Sequence, residues 1–270
     1  MAETKTIGHV LYPNFFLSNE VEDQFNSHLN LQQFCTVDNS LVGIAGTTKK
    51  INRYNATDGT EKLAMGEGNT KSILVNYTEE EYKILLAQNR FEYFDEQAME
   101  DPMLVPVGMK HAGTDMYNTI NAEIYAEYLK GTQTVEATAP NFDAFVDAVA
   151  KFNLEDPEGQ TFFAFVAPAD VAKVRKALKE DLKYVESFSR QGYVGTVAGV
   201  NLYTKKDAEV GTIVVATKEA VTIFNKRGVE VEQANRNSED ANIRLNTIFT
   251  RKYYLVALTD DTKVVKITIG

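Results

Sequence analysis

The sequence has little of what redox, metal-binding and membrane functions require. Cys35 is the single cysteine among 270 residues, so no disulfide, thiolate metal cage or redox pair can form within one chain. No apolar run approaches the length needed to span a bilayer, and the N-terminal stretch lacks the basic start and continuous apolar core of a signal peptide. We therefore expect a soluble, cytoplasmically made protein with no membrane association.

Positive charge is also scarce. Lys and Arg total 28 against 38 Asp and Glu, which gives a formal net charge of -10 at pH 7. Affinity for phosphate backbones comes mainly from clustered Lys and Arg, so direct DNA binding is disfavoured. A shell that encloses DNA without gripping it is compatible with an acidic chain, and so are most cytosolic enzymes.

The sequence contains no complete catalytic or cofactor motif. Residues 66 to 72 superficially resemble a phosphate loop, but Thr70 stands where glycine should precede Lys71, Glu67 would repel phosphate, and the residues that follow favour a strand. No G-x-S-x-G elbow occurs, and the three histidines are far apart: His9, His28 and His111. We predict no catalytic residue, no cofactor and no metal.

Residues 41 to 77 are predicted to form a long two-stranded ribbon. Two strand-like runs flank a polar, glycine-rich centre, with a hairpin-turn signal at Asp58-Gly59 and a second flexible tip at Gly66-Glu67-Gly68-Asn69. An isolated ribbon buries too little apolar surface and leaves both edges unpaired. It therefore needs another surface to lie on.

Four helices are predicted from apolar spacing. The longest runs from about Pro106 to Lys130, with apolar residues at three- and four-residue steps: Met109, Ala112, Met116, Ile120, Ile124 and Tyr128. A second helix covers about Asn141 to Phe152, and a third begins at Pro168 after an apolar strand. Near the N-terminus, Val21, Phe25 and Leu29 indicate a short helix, which either packs on its own domain or docks on a neighbouring subunit.

Residues 192 to 269 favour a mainly antiparallel sheet, because glycines separate runs rich in Val, Ile, Thr, Tyr and Phe. The order of its parts is specific: G-x-x-G-x-x-x-G-V from Gly192, Gly-Thr before an apolar strand, Ala-Val, Val-Glu-Val-Glu, a polar stretch, and Tyr-Tyr-x-Val-Ala-Leu. This succession resembles the C-terminal half of a tailed-bacteriophage major capsid protein of the Hong Kong 97 type. In that family a ribbon called the E-loop precedes a long spine helix, as in this chain.

The resemblance implies an α+β capsid fold with interleaved domains. It assigns residues 1–38 to an N-terminal arm, 39–80 to the E-loop, 81–138 to a peripheral P-domain with the spine helix, 139–227 to an axial A-domain, and 228–270 to the C-terminal strands of the P-domain. Contacts between subunits are expected at the E-loop tip and the arm: Asp58, Gly59, Lys62, Gly66, Glu67, Gly68, Lys71, Phe25 and Leu29.

The resemblance also implies a function. The chain would self-assemble, as pentamers and hexamers, into the icosahedral head shell around double-stranded DNA, without sequence-specific DNA binding. Scaffolding, portal and decoration proteins are the expected partners, the virion the expected location, and the host bacterial cytoplasm the expected place of assembly. The alternatives are an encapsulin-like cellular nanocompartment, which shares the fold, and a cytosolic α+β enzyme.

Overall fold

The computed structural model describes residues 29–154, 160–177 and 193–270. Over these ranges the chain mixes helices and strands, which confirms the predicted α+β class. The arm helix predicted from Val21 and Phe25 lies outside the described residues. Within the described ranges, no helix has the length and apolar character to cross a membrane.

A long helix lies at the centre of the subunit. The chain enters it through a short helix, α1 (Asp95–Glu100), and the long helix itself, α2 (Leu104–Leu129), is hereafter the spine helix. The helix predicted from Pro106 to Lys130 is thereby confirmed. Its buried side chains follow the predicted three- and four-residue spacing, since one side of the helix faces the core: Met116, Ile120, Ile124, Tyr125 and Tyr128.

A four-stranded sheet packs against the spine helix. Its strands, in spatial order, are β1 (Thr36–Asp38), β10 (Val221–Gln233), β11 (Leu245–Leu258) and β4 (Leu85–Phe94). Along β11, Tyr254 and Val256 join the core that contains the spine helix, whereas Leu255 and Ala257 join a smaller cluster on the opposite face. This alternation follows from the two-residue period of a strand.

A six-stranded sheet lies on another part of the same core. Its spatial order is β5 (Gln133–Ala137), β12 (Val264–Ile269), β9 (Thr212–Thr217), β6 (Phe162–Val166), β8 (Val200–Thr204) and β7 (Tyr193–Val197). Phe163 and Phe165 face the spine helix, where their rings meet Tyr128 at centroid distances of 5.9 and 5.6 Å. Phe162 and Ala164 face a second core, which includes residues of the helices α3 (Phe142–Lys151) and α4 (Pro168–Ala177).

The two sheets divide the chain differently from the predicted segments. β12 was grouped with the P-domain, but it pairs with β9 and β5 in the six-stranded sheet. Its Val265 and Ile267 are fully buried in the core shared with α3, and this long-range packing decides its sheet. β10 begins at Val221, inside the segment assigned to the A-domain, yet it belongs to the four-stranded sheet.

The predicted ribbon is confirmed as an antiparallel pair, β2 (Thr48–Ala56) and β3 (Val75–Lys83). The hairpin turn predicted at Asp58-Gly59 is wrong, because the chain continues past it. A β-carbon on Gly59 would lie 2.7 Å from the Ile73 side chain, so this glycine allows the two arms of the loop to approach closely. The turn lies further on, where Glu67 N bonds Ala64 O and Gly66 adopts a φ of +89°.

Candidate assembly surface

The base of the ribbon is attached to its own subunit. The Arg53 guanidinium donates through Nη2 to Glu80 Oε2 at 2.9 Å and to the carbonyl oxygen of Leu258 at 2.6 Å. Ile51 and Tyr82 pack on the small apolar cluster carried by the four-stranded sheet. The ribbon therefore leaves the subunit in a fixed direction.

The outer face of the ribbon carries two exposed aromatic side chains. Side chains alternate along a strand, so the residues between the inward-facing Ile51, Arg53 and Tyr82 point away from the subunit. Tyr54 and Tyr77 are paired directly across the two strands, with ring centroids 6.1 Å apart. They remain 68% and 62% exposed. Two large rings held side by side in solvent are typical of a contact surface.

The tip of the ribbon, residues 57 to 74, has a defined shape without a core. The Glu61 carboxylate accepts from the backbone N–H of Thr70 at 2.7 Å and from its hydroxyl at 2.8 Å. The Asn69 amide donates to the carbonyl oxygens of Gly59 and Lys71. Around these bonds, apolar side chains point into solvent: Leu63, Met65, Ile73 and Leu74. Polar hydrogen bonds therefore fix the shape of the tip, and its exposed surface is largely apolar.

The structure brings the predicted tip residues together on this one element. Five of them are exposed at the tip: Asp58, Lys62, Gly66, Gly68 and Lys71. Glu67 is also exposed, but its carboxylate accepts from the Ala64 N–H at 3.1 Å and so helps to form the turn. Gly59 is buried against the returning chain, so its role is internal.

The arm residues are placed differently. Phe25 lies outside the described residues. Leu29 is only 9% exposed and belongs to the core of its own subunit. The spine-helix residue Asn121 fixes this segment, because its side chain accepts from Leu31 N at 3.2 Å and donates to Leu29 O at 3.4 Å. Leu29 therefore packs within its own subunit, and its expected role in contacts between subunits stays a prediction.

Sequence reasoning missed the apolar residues of the ribbon. Tyr54, Val75 and Tyr77 are more exposed than a polar ribbon would suggest. A signal was present in the second strand-like run, because Ile73, Val75 and Tyr77 occur at alternating positions. What the sequence did not reveal was the cross-strand register, which places the tyrosines opposite each other.

A network of charged and amide side chains lies at the end of the four-stranded sheet that is farther from the ribbon. Arg236 Nη2 donates to Asp95 Oδ1, and Asn246 Nδ2 donates to the same oxygen at 2.6 Å. These bonds, from Arg236 first and then Asn246, lower the pKa of Asp95. The network ties the segment after β10 to the start of α1.

The remaining candidate chemical groups are metal-ligating side chains and the Cys35 thiol. Among the described residues, no three His, Cys, Asp or Glu side chains are grouped so that they could hold a metal ion. Cys35 is buried, with its sulfur 3.6 Å from the Tyr128 hydroxyl, and burial raises the pKa of the thiol to about 12. A thiol with that pKa stays protonated and is a poor nucleophile.

Comparisons with known proteins agree with this geometry. No protein-family model matches the chain. The chain is 26% identical over 264 residues to the major capsid protein of Staphylococcus phage phiMR11, covering 94% of this chain and 92% of that protein. The solved capsid of a native GTA particle superposes with a TM-score of 0.69 at 12% identity, covering 100% of this chain and 95% of its own. A structure from Mycobacterium phage Che8 superposes with a TM-score of 0.65 at 14% identity, covering 86% and 88%.

The chain has the Hong Kong 97-type capsid fold. This fold explains why an exposed ribbon precedes a long helix that is shared by two sheets. It also confirms the resemblance on which the expectations from sequence depend.

Proposed function

We propose that this chain is the major capsid protein of a tailed bacteriophage and that it self-assembles into the icosahedral head shell enclosing the double-stranded DNA genome. One observation carries the proposal in addition to the fold. The ribbon holds Tyr54, Tyr77 and the apolar residues of its tip in solvent, where no described residue of its own subunit covers them. An exposed apolar surface of this kind marks a contact with another molecule.

Assembly then depends on many repeated contacts. Ribbon and arm cross from one subunit to the next, and the sum of weak identical contacts closes the shell. The four-stranded sheet with the spine helix forms the peripheral domain, and the six-stranded sheet with α3 and α4 forms the axial domain around the five- and six-fold axes. No step of this process requires catalysis.

The net negative charge of the chain fits a shell that encloses DNA better than a protein that binds DNA. Its formal net charge of -10 opposes tight association with phosphate backbones, so DNA is enclosed without being gripped. A scaffolding protein sets the shell size, a portal protein occupies one vertex, and decoration proteins are further candidate partners. Assembly takes place in the host bacterial cytoplasm.

Electron microscopy of the purified protein tests the proposal. Shells, capsomers or tubes are the expected products, and a dispersed monomer under all assembly conditions would contradict the proposed function. Deletion of residues 58 to 69 should leave a folded subunit, because the tip contributes to neither main core. Its circular dichroism should remain native while shells are lost. Normal capsids from this deletion would refute the role of the ribbon.

The alternative is an encapsulin-like nanocompartment, which has the same fold. The match to a phage major capsid protein over 94% of this chain favours the phage shell over that alternative. Genomic context separates the two. Portal and terminase genes beside this gene support the phage shell, whereas a neighbouring cargo enzyme gene would support the nanocompartment.

A further inference from the structure

Arg53 marks the point at which the ribbon separates from the body of its subunit. Between Tyr54 and Glu79 the described residues are exposed, except Gly59 and Glu61, which contact the tip itself. Among the described residues, no hydrogen bond or ion pair links this outer part of the ribbon to the body of the subunit. The direction of the outer part is therefore set at Arg53 or nearer the base.

The two hydrogen bonds of Arg53 have different effects on the ribbon. Glu80 lies on β3, so the bond from Arg53 Nη2 to Glu80 Oε2 joins the two strands of the ribbon to each other. Leu258 ends β11, so the bond to its carbonyl oxygen joins the ribbon to the four-stranded sheet. A hydrogen bond has a preferred direction, which a contact between apolar side chains lacks. Of the two bonds, the one to Leu258 therefore restricts the angle between ribbon and sheet.

The carbonyl group that accepts this bond is itself held in place. Leu258 is 3% exposed, and its backbone N–H donates to Glu127 Oε2 of the spine helix at 3.3 Å. The other carboxylate oxygen of Glu127 accepts from Lys130 Nζ at 2.6 Å. Through Leu258, Arg53 therefore orients the ribbon relative to the spine helix as well as to the sheet.

The position of Arg53 along β2 makes its contact effective. Nearer the base, the ribbon is held by the bond from Ile84 N to Thr47 O and by the apolar contacts of Ile51. At roughly 3.3 Å per residue Arg53 lies about 16 Å beyond Thr48, so a displacement of about 3 Å at Arg53 turns the ribbon by about 10°. Two separated points of attachment define a direction, and Arg53 supplies the outer one.

We propose that Arg53 is a positioning residue for assembly: it restricts the ribbon to a narrow range of angles and thereby makes the shells uniform in diameter. The first half of this inference concerns the single subunit, whereas the second half rests on the proposed function. Identical contacts repeat from copy to copy, so the spread of ribbon angles decides whether the closed particles share one diameter. A scaffolding protein then selects among the sizes that this range allows.

A distance measurement in the unassembled subunit tests the first half. Spin labels are attached at Asn76→Cys on β3 and Asp147→Cys on α3, because both positions are exposed and the buried Cys35 is not labelled in folded protein. Pulsed electron paramagnetic resonance then gives the distribution of distances between ribbon and body. We expect a narrow distribution, and one at least twice as wide when Arg53→Met is added.

Glu80→Gln is the matched control for Arg53→Met. It removes the charge of the partner within the ribbon and leaves the bond to Leu258, so the narrow distribution should persist. Arg53→Lys is the second variant, in case Arg53→Met does not fold, and should also widen the distribution because an ammonium group lacks the planar geometry of the guanidinium. Equal widening by the Arg53 variants and Glu80→Gln, or no widening by either Arg53 variant, would overturn the inference.

Cryo-electron microscopy of assembled particles tests the second half. Shells of the unaltered chain and of Lys50→Met should share one diameter, since Lys50 pairs at 2.5 Å with Glu79 inside the ribbon. Arg53→Met should give shells of mixed diameter or open sheets, with a spread at least fivefold larger. Uniform shells from Arg53→Met would overturn the link to shell diameter. If the unaltered chain forms no shells while the distance test succeeds, the proposed function fails and the role of Arg53 in the subunit stands.

Discussion

Gly108 of the spine helix lies directly against the ring of Phe91 on β4. A β-carbon at Gly108 would come within 2.4 Å of Phe91 Cζ, closer than real atoms approach. The Phe91 ring in turn stacks on Tyr93 at a centroid distance of 5.6 Å. Glycine at this position allows the four-stranded sheet to pack tightly on the first half of the helix.

This contact predicts opposite effects for two glycines of one helix. Gly108→Ala should lower the free energy of unfolding by about 1 kcal/mol, because the cost of displacing the ring exceeds the gain in helix propensity. Gly113→Ala is the matched control, since a β-carbon there would meet no atom of another element within 4 Å, and it should stabilise by roughly 0.5–1 kcal/mol. Urea denaturation measures both. In a Phe91→Ala background Gly108→Ala should become stabilising, and a persistent loss would contradict this explanation.

Asn121 should be the most sensitive polar residue of the spine helix. Asn121→Leu removes both bonds to the segment around Leu31 and leaves a buried backbone N–H and a carbonyl unsatisfied. We expect a loss of about 2–3 kcal/mol in the free energy of unfolding. Thr119→Ala, an exposed change on the same helix, should stay within about 0.5 kcal/mol. Equal effects from the two substitutions would argue against a specific anchor.

Asp170 makes stability depend on pH. Its carboxylate is fully buried, accepts from Gly211 N at 2.6 Å and pairs with Lys173 at 2.7 Å. Burial alone would raise the pKa of Asp170, but the Gly211 and Lys173 contacts outweigh it and the pKa is lowered. The stabilisation is therefore complete above the ordinary Asp pKa of about 3.9 and is lost as pH falls through the lower folded value.

Asp170→Asn should consequently destabilise by about 2–3 kcal/mol at neutral pH, and the difference from the unaltered chain should shrink at strongly acidic pH. Urea denaturation across pH measures this dependence. Asp147→Asn on an exposed position of α3 is the control and should change little. A pH-independent difference would show that the lost carboxylate charge is not the cause.

The tyrosine pair of the ribbon should affect assembly more than folding. Tyr54→Ser/Tyr77→Ser removes an exposed cross-strand pair, which contributes roughly 0.2–1 kcal/mol to the subunit. Light scattering should show assembly strongly reduced, while denaturation of the isolated subunit changes little. Tyr54→Phe/Tyr77→Phe keeps both rings and should assemble. Loss of assembly with the phenylalanine pair as well would indicate that the hydroxyl groups, not the apolar rings, make the contact.

Cys35 should report on global unfolding. Because burial raises its pKa to about 12, iodoacetamide should not modify it in native protein at pH 8, and labelling should follow the denaturation curve. Rapid modification under native conditions would mean that the segment around Leu31 opens locally.

The sequence predicted those helices and strands whose apolar pattern was long or whose boundary residues were specific. Apolar spacing located the spine helix and α3, and the side chain of Asn141 caps α3 by accepting from Ala144 N at 3.1 Å. The ordered succession of strand motifs after Gly192 pointed to the capsid fold. β5 was missed because five residues of mixed polarity carry too weak a signal, and it forms only through its pairing with β12.

Sequence by itself determined the class of the protein, the spine helix, α3, α4 and the existence of an exposed ribbon, because these depend on periodicity and on residues close in the chain. Only the tertiary structure decided that β12 joins the six-stranded sheet, that Leu29 packs beside Asn121 in the core, and that Tyr54 faces Tyr77. Each of these outcomes depends on contacts between residues far apart in sequence, whose register is set by packing of the whole core. The groove between β4, β11 and the spine helix belongs with them, since three elements separated along the chain build its walls.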